Sequence, residues 1–229
     1  MELELLVVGL LKIILINIVL SGDNAVVIAL ACRSLPGEQQ KKAIFFGSLG
    51  AIILRVLLTF AAVWLLQVPF VQVLGGLLLI WIALKLMKND EQEEQLSSGR
   101  NLMGAIKTIL VADLVMSLDN VLAIAGAAGG NYLLIVLGLA ISIPLIIFGS
   151  KLLMSLMNRF PVIIMLGVGL LGYTAGEMIL GDHAVASRLE ALPSAVHYSI
   201  SIILAIAVIV VGKVLSRNRG KEPAQPDWG

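Results

Sequence analysis

The sequence has few of the side chains that soluble proteins place on their surfaces and in catalytic sites. Only 14% of its 229 residues are charged, 5% are aromatic and two are histidine. Cys32 is the one cysteine, so no disulfide can form within the chain and a thiolate metal site would lack ligands. The formal net charge is +1, and the charge pattern does not resemble a nucleic-acid-binding surface. The composition excludes an ordinary soluble domain.

Long apolar runs take the place of polar surface. Hydrophobic residues make up 59% of the chain, and the mean hydropathy is +1.01. Several runs reach the roughly 20 residues that a helix needs to cross a bilayer core. The short alternating segments of a membrane β-barrel are missing. We therefore predict an all-α, polytopic membrane bundle of seven transmembrane helices, at about 5–31, 43–66, 70–87, 102–128, 132–156, 161–180 and 196–215.

Basic residues are concentrated in alternate connections between these spans. Arg33, Lys41 and Lys42 lie in the first connection, and Lys88 and Arg100 lie in the third. The second and fourth connections carry no charge, whereas the C-terminal tail is basic. The positive-inside rule therefore predicts an N-terminus outside the cell and a cytoplasmic C-terminus.

One acidic motif occurs twice. The segment "LSGDNAVVIALA" at 20–31 returns 96 residues later as "MSLDNVLAIAGA" at 116–127, so that Asp23 matches Asp119. Each motif lies in the first span of a three-span unit, and three crossings reverse the direction of the chain. The two units should therefore enter the membrane in opposite directions, as in transporters whose binding sites lie at the interface of inverted repeats.

The predicted organisation follows from this repeat. A seventh helix is left over after two copies of a three-helix unit, and an acidic stretch, "DEQEEQ", lies between the copies. The segments are a first repeat at 1–87, a cytoplasmic linker at 88–101, a second, inverted repeat at 102–181, an outer loop at 182–195, a seventh helix at 196–215 and a cytoplasmic tail at 216–229.

The two aspartates are predicted to lie near the bilayer centre. Lys12 and Arg33 bracket twenty residues around Asp23, and Lys107 and an uncharged turn bracket a similar length around Asp119. One ionised Asp at that depth costs about 2.5–3.5 kcal/mol on insertion scales. Polar residues in spans also serve as helix caps or as hydrogen-bonding contacts between helices. The duplication of the Asp-Asn pair nevertheless favours a bound cation as the partner of the two charges.

The ligand chemistry narrows the choice of cation. Carboxylate, amide and hydroxyl oxygens suit Mg²⁺, Ca²⁺ or Mn²⁺, and disfavour zinc and copper. Glu177, in the sixth span, is a candidate outer ligand or proton acceptor. Further candidates share helix faces with the motif at i, i+4 and i+7 spacing: Asn17, Ser21 and Asn24 in the first copy, and Asp113, Ser117 and Asn120 in the second.

The paired motifs, in opposed three-helix repeats followed by a seventh helix, resemble the TerC family of bacterial membrane proteins over nearly all of residues 5–215. The resemblance implies export of divalent cations, chiefly manganese, across the bacterial cell membrane. It also implies that Asp23, Asn24, Asp119 and Asn120 are the metal ligands. The family name refers to tellurium resistance, so the resemblance leaves the substrate of an individual member open.

Two other functions stay open at this point. The chain could carry a small organic or amino-acid solute whose ammonium group binds the aspartates. It could instead be a non-transporting membrane factor that loads metal onto secreted proteins. The sequence contains no ATP-binding P-loop and no nucleophile-base pattern, so we expect an ion gradient or the metal's own gradient as driving force and no enzyme activity. The expected partners are Mn²⁺ or a similar cation as substrate, and the lipid bilayer; no prosthetic group and no nucleic acid are expected.

Overall fold

The computed structural model describes residues 10–11, 14–15, 22–65, 68–88, 102–128, 132–189 and 193–219. These ranges are helical and contain no strand, which confirms the all-α class. Asn17 and Ser21 lie outside them. The helices from Gly22 onward are α1 (Gly22–Cys32), α2 (Gly37–Leu65), α3 (Val71–Lys88), α4 (Leu102–Ala128), α5 (Tyr132–Arg159), α6 (Val162–Gly181), α7 (His183–Leu189) and α8 (Ser194–Arg219).

Six of these helices lie where the second to seventh apolar runs predicted them, and α1 covers the end of the first run. The largest difference is at the start of α2, where Pro36 and Gly37 begin the helix ahead of the apolar residues. The segment 182–195, predicted as a loop, contains the short helix α7.

The outer surface is suited to lipid. Within the described residues, four segments are long and apolar enough to cross a bilayer: Gly37–Thr59, Val136–Arg159, Val162–Gly181 and Ala195–Leu215. Large apolar side chains are widely exposed on these and neighbouring helices, including Phe148, Leu166 and Ile203. Exposure on this scale would be a liability in water but is ordinary in hydrocarbon. The protein is therefore a multi-pass membrane protein.

Helix α1 occupies the centre of the bundle. Every side chain from Asn24 to Leu30 is buried, and α1 packs against α2, α4, α5 and α6. Val26 lies against Gly167 of α6, where a glycine leaves room for the close approach of the two helices. The first copy of the acidic motif is thus in the interior of the protein.

Asp182 connects two distant turns of the chain. Its carboxylate accepts N–H bonds from Phe70 (3.2 Å) and Gln72 (3.1 Å) at the start of α3, and from Ala184 (3.0 Å) in α7. Because Asp182 follows the end of α6, α3 and α6 run in opposite directions. Burial of the carboxyl raises its pKa, but the N–H bonds outweigh burial and hold the pKa below the ordinary value of 3.8.

Glycines determine how closely α8 approaches α6. A Cβ added at Gly172 would lie 3.0 Å from the Cα of Ala205, and one at Gly176 would lie 2.8 Å from the Cα of Ser201. The spacing of four residues places both glycines on one face of α6. The last helix is therefore held by direct contact between backbones. The later glycine of α6 lies against the earlier residue of α8, so the two helices are antiparallel.

Candidate cation site between α1 and α4

The first copy of the motif lies at the start of α1 as the structure describes it. Asp23 is half-buried, and its Oδ1 accepts a bond from the backbone N–H of Asn24 at 2.8 Å. Asn24 is 3% exposed and points into the protein. The motif thus places a half-buried carboxyl group next to a buried amide.

The second copy lies within a continuous helix, α4. Ser117 and Asn120 are both buried there, at 0% and 8% exposure. The backbone of Asp119 is part of α4, and its side chain lies outside the described residues. Helices α1 and α4 pack against each other, so the structure brings the two motif-bearing helices together.

Arg55 and Asp113 form a buried ion pair between α2 and α4. Arg55 is 1% exposed, and its Nη2 lies 2.6 Å from Oδ1 of Asp113. The Nε of Arg55 donates to Ser117 Oγ at 3.0 Å, and Ser117 Oγ donates to the second oxygen of Asp113 at 3.2 Å. These three bonds form a closed ring, so each group holds the other two. A guanidinium in this position requires such partners because an unpaired buried charge is strongly destabilising.

The ion pair lies beside the first motif. Asp23 is close enough to Arg55 and Asp113 to interact electrostatically with both, attractively with the first and repulsively with the second. These three groups comprise two carboxyl groups and one guanidinium, so with both carboxyl groups ionised the negative charge is in excess. That excess is the electrostatic property expected of a site for a cation.

A small cavity opens between α1 and α4. It is lined by Asn24, Val27, Ile28, Ile109 and Asp113. Its volume is about 10 Å³, measured as space open to the centre of a water molecule. That is room for about one water molecule or one bare ion. The cavity combines an amide from the first motif and a carboxylate from α4 with apolar walls.

The remaining candidates are distributed differently. Glu177 is exposed on α6, where its Oε1 accepts a bond from Ser201 Oγ of α8 at 2.6 Å, and it does not line the cavity. Within the described ranges, no three His, Cys, Asp or Glu side chains are close enough together to hold a metal ion. The structure thus brings together Asp23, Asn24 and Asp113. Ser117 is hydrogen-bonded to Asp113 and to Arg55.

Two functional features were not assigned from the sequence. Arg55, near the middle of the second predicted span, had no role assigned to it from the sequence; the structure shows that it forms an ion pair with Asp113. The sequence signal was a cation near the middle of an apolar span, which requires an acid on a neighbouring helix. Asp182 is the first residue of the segment 182–195, which was predicted only as an outer loop; the structure shows that its side chain is buried, at 1% exposure. Nothing in the local sequence indicates its distant backbone donors.

Comparison with known proteins identifies the family. The model for "Integral membrane protein TerC family" matches residues 4–220. The chain is 47% identical to the uncharacterized membrane protein YjbE of Bacillus subtilis over 175 residues, which are 76% of this chain and 80% of that protein. It is 29% identical to the uncharacterized membrane protein YkoY of the same organism over 181 residues, which are 69% of this chain and 55% of that protein.

A third relative is the UPF0053 protein YegH of Escherichia coli, 28% identical over 178 residues, which are 69% of this chain and 34% of that protein. No solved structure is significantly similar to the chain. The family match extends over both motif-bearing helices, which confirms the resemblance that the repeated Asp-Asn pair indicated. The chain belongs to the TerC family of integral membrane proteins.

Proposed function

We propose that this protein exports a hard divalent cation, with Mn²⁺ as the main substrate, across the bacterial cell membrane. The observation that carries the proposal is that two carboxyl groups, buried Asp113 and half-buried Asp23, lie with the guanidinium of Arg55 beside the cavity between α1 and α4. Asp23 and Asp113 face the single guanidinium of Arg55, and Asn24 adds an amide to the same wall. Soluble cores avoid uncompensated carboxylates, and membrane interiors avoid them more strongly. A transported cation supplies the missing charge.

The proposed ligands are the repeated pair in each motif. Asp23, Asn24, Asp119 and Asn120 offer two carboxylates and two amides, an all-oxygen set that suits Mn²⁺ and similar ions. The packing of α1 against α4 supports a shared site. We place Glu177 on the outer part of the path, where Ser201 orients its carboxylate. The proposal involves no prosthetic group and no covalent catalysis.

The helix directions support alternating access by inverted repeats. Helices α3 and α6 are the third helices of the two units, and the bonds to Asp182 make them antiparallel. The cross-contacts are also reciprocal: α2 packs on α4 while α5 packs on α1, and α3 packs on α4 while α6 packs on α1. This is the exchange of partners expected for two units related by an axis in the membrane plane. Each unit can then expose the central site to one side.

The cavity favours an ion over an organic solute. A space for one water molecule beside Asn24 and Asp113 does not accommodate an amino acid. A metal-loading factor without transport activity would share the same site, so a flux measurement distinguishes it from an exporter. Movement of Mn²⁺ across sealed vesicles that contain the purified protein would support export.

The first prediction concerns the two aspartates. Asp23→Asn and Asp119→Asn keep the size and much of the hydrogen bonding but each removes one negative charge. We expect each variant to lose at least about tenfold in Mn²⁺ affinity and most of the vesicle flux, because the divalent charge is no longer balanced. Calorimetric Mn²⁺ titration and flux at matched protein levels measure the two effects.

Glu38→Gln is the matched control, because it removes one acidic charge from an exposed i,i+3 pair with Lys41 that lies outside both motifs. It should leave binding and flux unchanged. Wild-type values in both motif variants would show that the aspartates are packing groups, which an amide replaces at no cost.

A further inference from the structure

We propose that Arg55 is a fixed internal counter-cation that weakens cation binding at the α1–α4 site, so that the transported ion can leave. The inference rests on the proposed function and adds an affinity-setting residue to it. Arg55 is on α2 and belongs to neither copy of the repeated motif.

The geometry fixes the charge of Arg55 next to the site. Its guanidinium is held on two sides, by Asp113 at 2.6 Å and by Ser117 at 3.0 Å, and it is nearly inaccessible to solvent. An arginine stays protonated under all ordinary conditions, and its planar fork is pre-organised for such bonds. The positive charge is therefore permanent and does not move away into water when a second cation arrives.

The ion pair of Arg55 and the first copy of the motif lie beside the same cavity. Asp113, which binds Arg55, lines the same small cavity as Asn24, and Asp23 interacts electrostatically with both members of the ion pair. Arg55 thus cancels part of the negative potential that a divalent cation would experience there. In an apolar interior this effect is large because little solvent screens it.

The proposal assigns Asp113 a different part from that of Asp23. Asp113 directs the guanidinium away from Asp23, so that Asp23 remains available to the transported ion. Without Asp113, the charge of Arg55 would act on Asp23 more strongly, and the negative potential among the described groups would fall. Asp113 then acts through Arg55 as a positioning residue.

A double-mutant cycle that neutralises each charge in turn tests this arrangement with Mn²⁺ as the probe. Purified full-length wild-type protein, Asp113→Asn, Arg55→Gln and the double variant are titrated with Mn²⁺ by calorimetry, and release is followed by the efflux rate from loaded vesicles. We expect Asp113→Asn to bind at least about tenfold more weakly and Arg55→Gln at least about tenfold more tightly, with slower release. The double variant should bind about as tightly as Arg55→Gln, because Asp113 acts through Arg55 and has no effect once Arg55 is removed.

The double variant distinguishes the proposal from a ligand role for Asp113. If Asp113 bound the ion itself, its loss would weaken binding with or without Arg55, so the double variant would bind at least about tenfold more weakly than Arg55→Gln, and that result would overturn the proposal. Wild-type affinity in folded Arg55→Gln would also overturn it. If Arg55→Gln does not insert stably, the double variant is compared with wild type instead: tighter binding supports the proposal, and equal or weaker binding overturns it. A wild-type protein that binds no divalent cation would overturn the proposed function together with this inference.

Discussion

At the scale of single residues, Asp182 offers a direct test of the packing between distant turns. In the wild type, two carboxylate oxygens accept bonds from three backbone N–H groups. Asp182→Asn keeps only one of these acceptor oxygens. We expect a loss of about 1–3 kcal/mol of stability at neutral pH, the cost of buried donors without partners. Thermal unfolding of the detergent-solubilised protein measures this loss.

The same residue predicts a pH dependence. The folded pKa of Asp182 lies below its ordinary value of 3.8, so its stabilising effect is present above that value and is lost as the pH falls through the folded pKa. The stability difference between wild type and Asp182→Asn should therefore shrink below about pH 4. A difference that stayed constant down to pH 3 would contradict this account.

Single residues also show where sequence reasoning stopped. The repetition of Asp-Asn singled out Asp23 and Asp119 as candidates because the interior of a membrane makes any carboxylate costly. Helical spacing placed Asp113 and Ser117 on one face, which the structure bears out, since both bind Arg55. The identity of their partner could not be derived, because spacing along one helix does not say which other helix lies opposite. The part of these residues in cation binding stays a prediction.

At the scale of helices, the glycines of α6 predict the strength of its contact with α8. In Gly176→Ala the new Cβ would lie 2.8 Å from the Cα of Ser201, so the two backbones must separate. We expect a cost of about 1–3 kcal/mol and a lower melting temperature. Gly181→Ala is the matched control on the same helix, because nothing lies within 4 Å of its added Cβ. Equal melting temperatures of the two variants would show that α8 is not held by this contact.

The existence of the helices was predictable, whereas their neighbours were not. Apolar runs of bilayer length located α2 to α6 and α8 because a chain in hydrocarbon must satisfy its backbone within helices. The small-residue spacing at Gly172 and Gly176 indicated close packing, but it did not identify α8 as the partner. Helix α7 was missed because seven residues without a strong apolar face leave no periodic signal.

At the scale of the whole molecule, the main prediction is topology. We expect the linker 88–101 and the C-terminal segment 216–229 to lie on the cytoplasmic side, because basic residues cluster in alternate connections. Reporter domains fused after residue 95 and after residue 229 should both report the cytoplasm. A reporter placed in the uncharged turn at 129–131 serves as the control and should report the outside. Opposite locations for the first two fusions would be incompatible with inverted repeats.

If the protein exports a cation as we propose, the cavity between α1 and α4 also determines the state in which the ion can enter. Space for about one water molecule does not contain a cation with its complete hydration shell, so an ion must exchange most of its waters for protein oxygens. Mg²⁺ dehydrates reluctantly and demands near-octahedral geometry at about 2.0–2.1 Å. The size of the space therefore ranks cations of equal charge by the ease with which they shed water, a preference that carboxylates alone would not create.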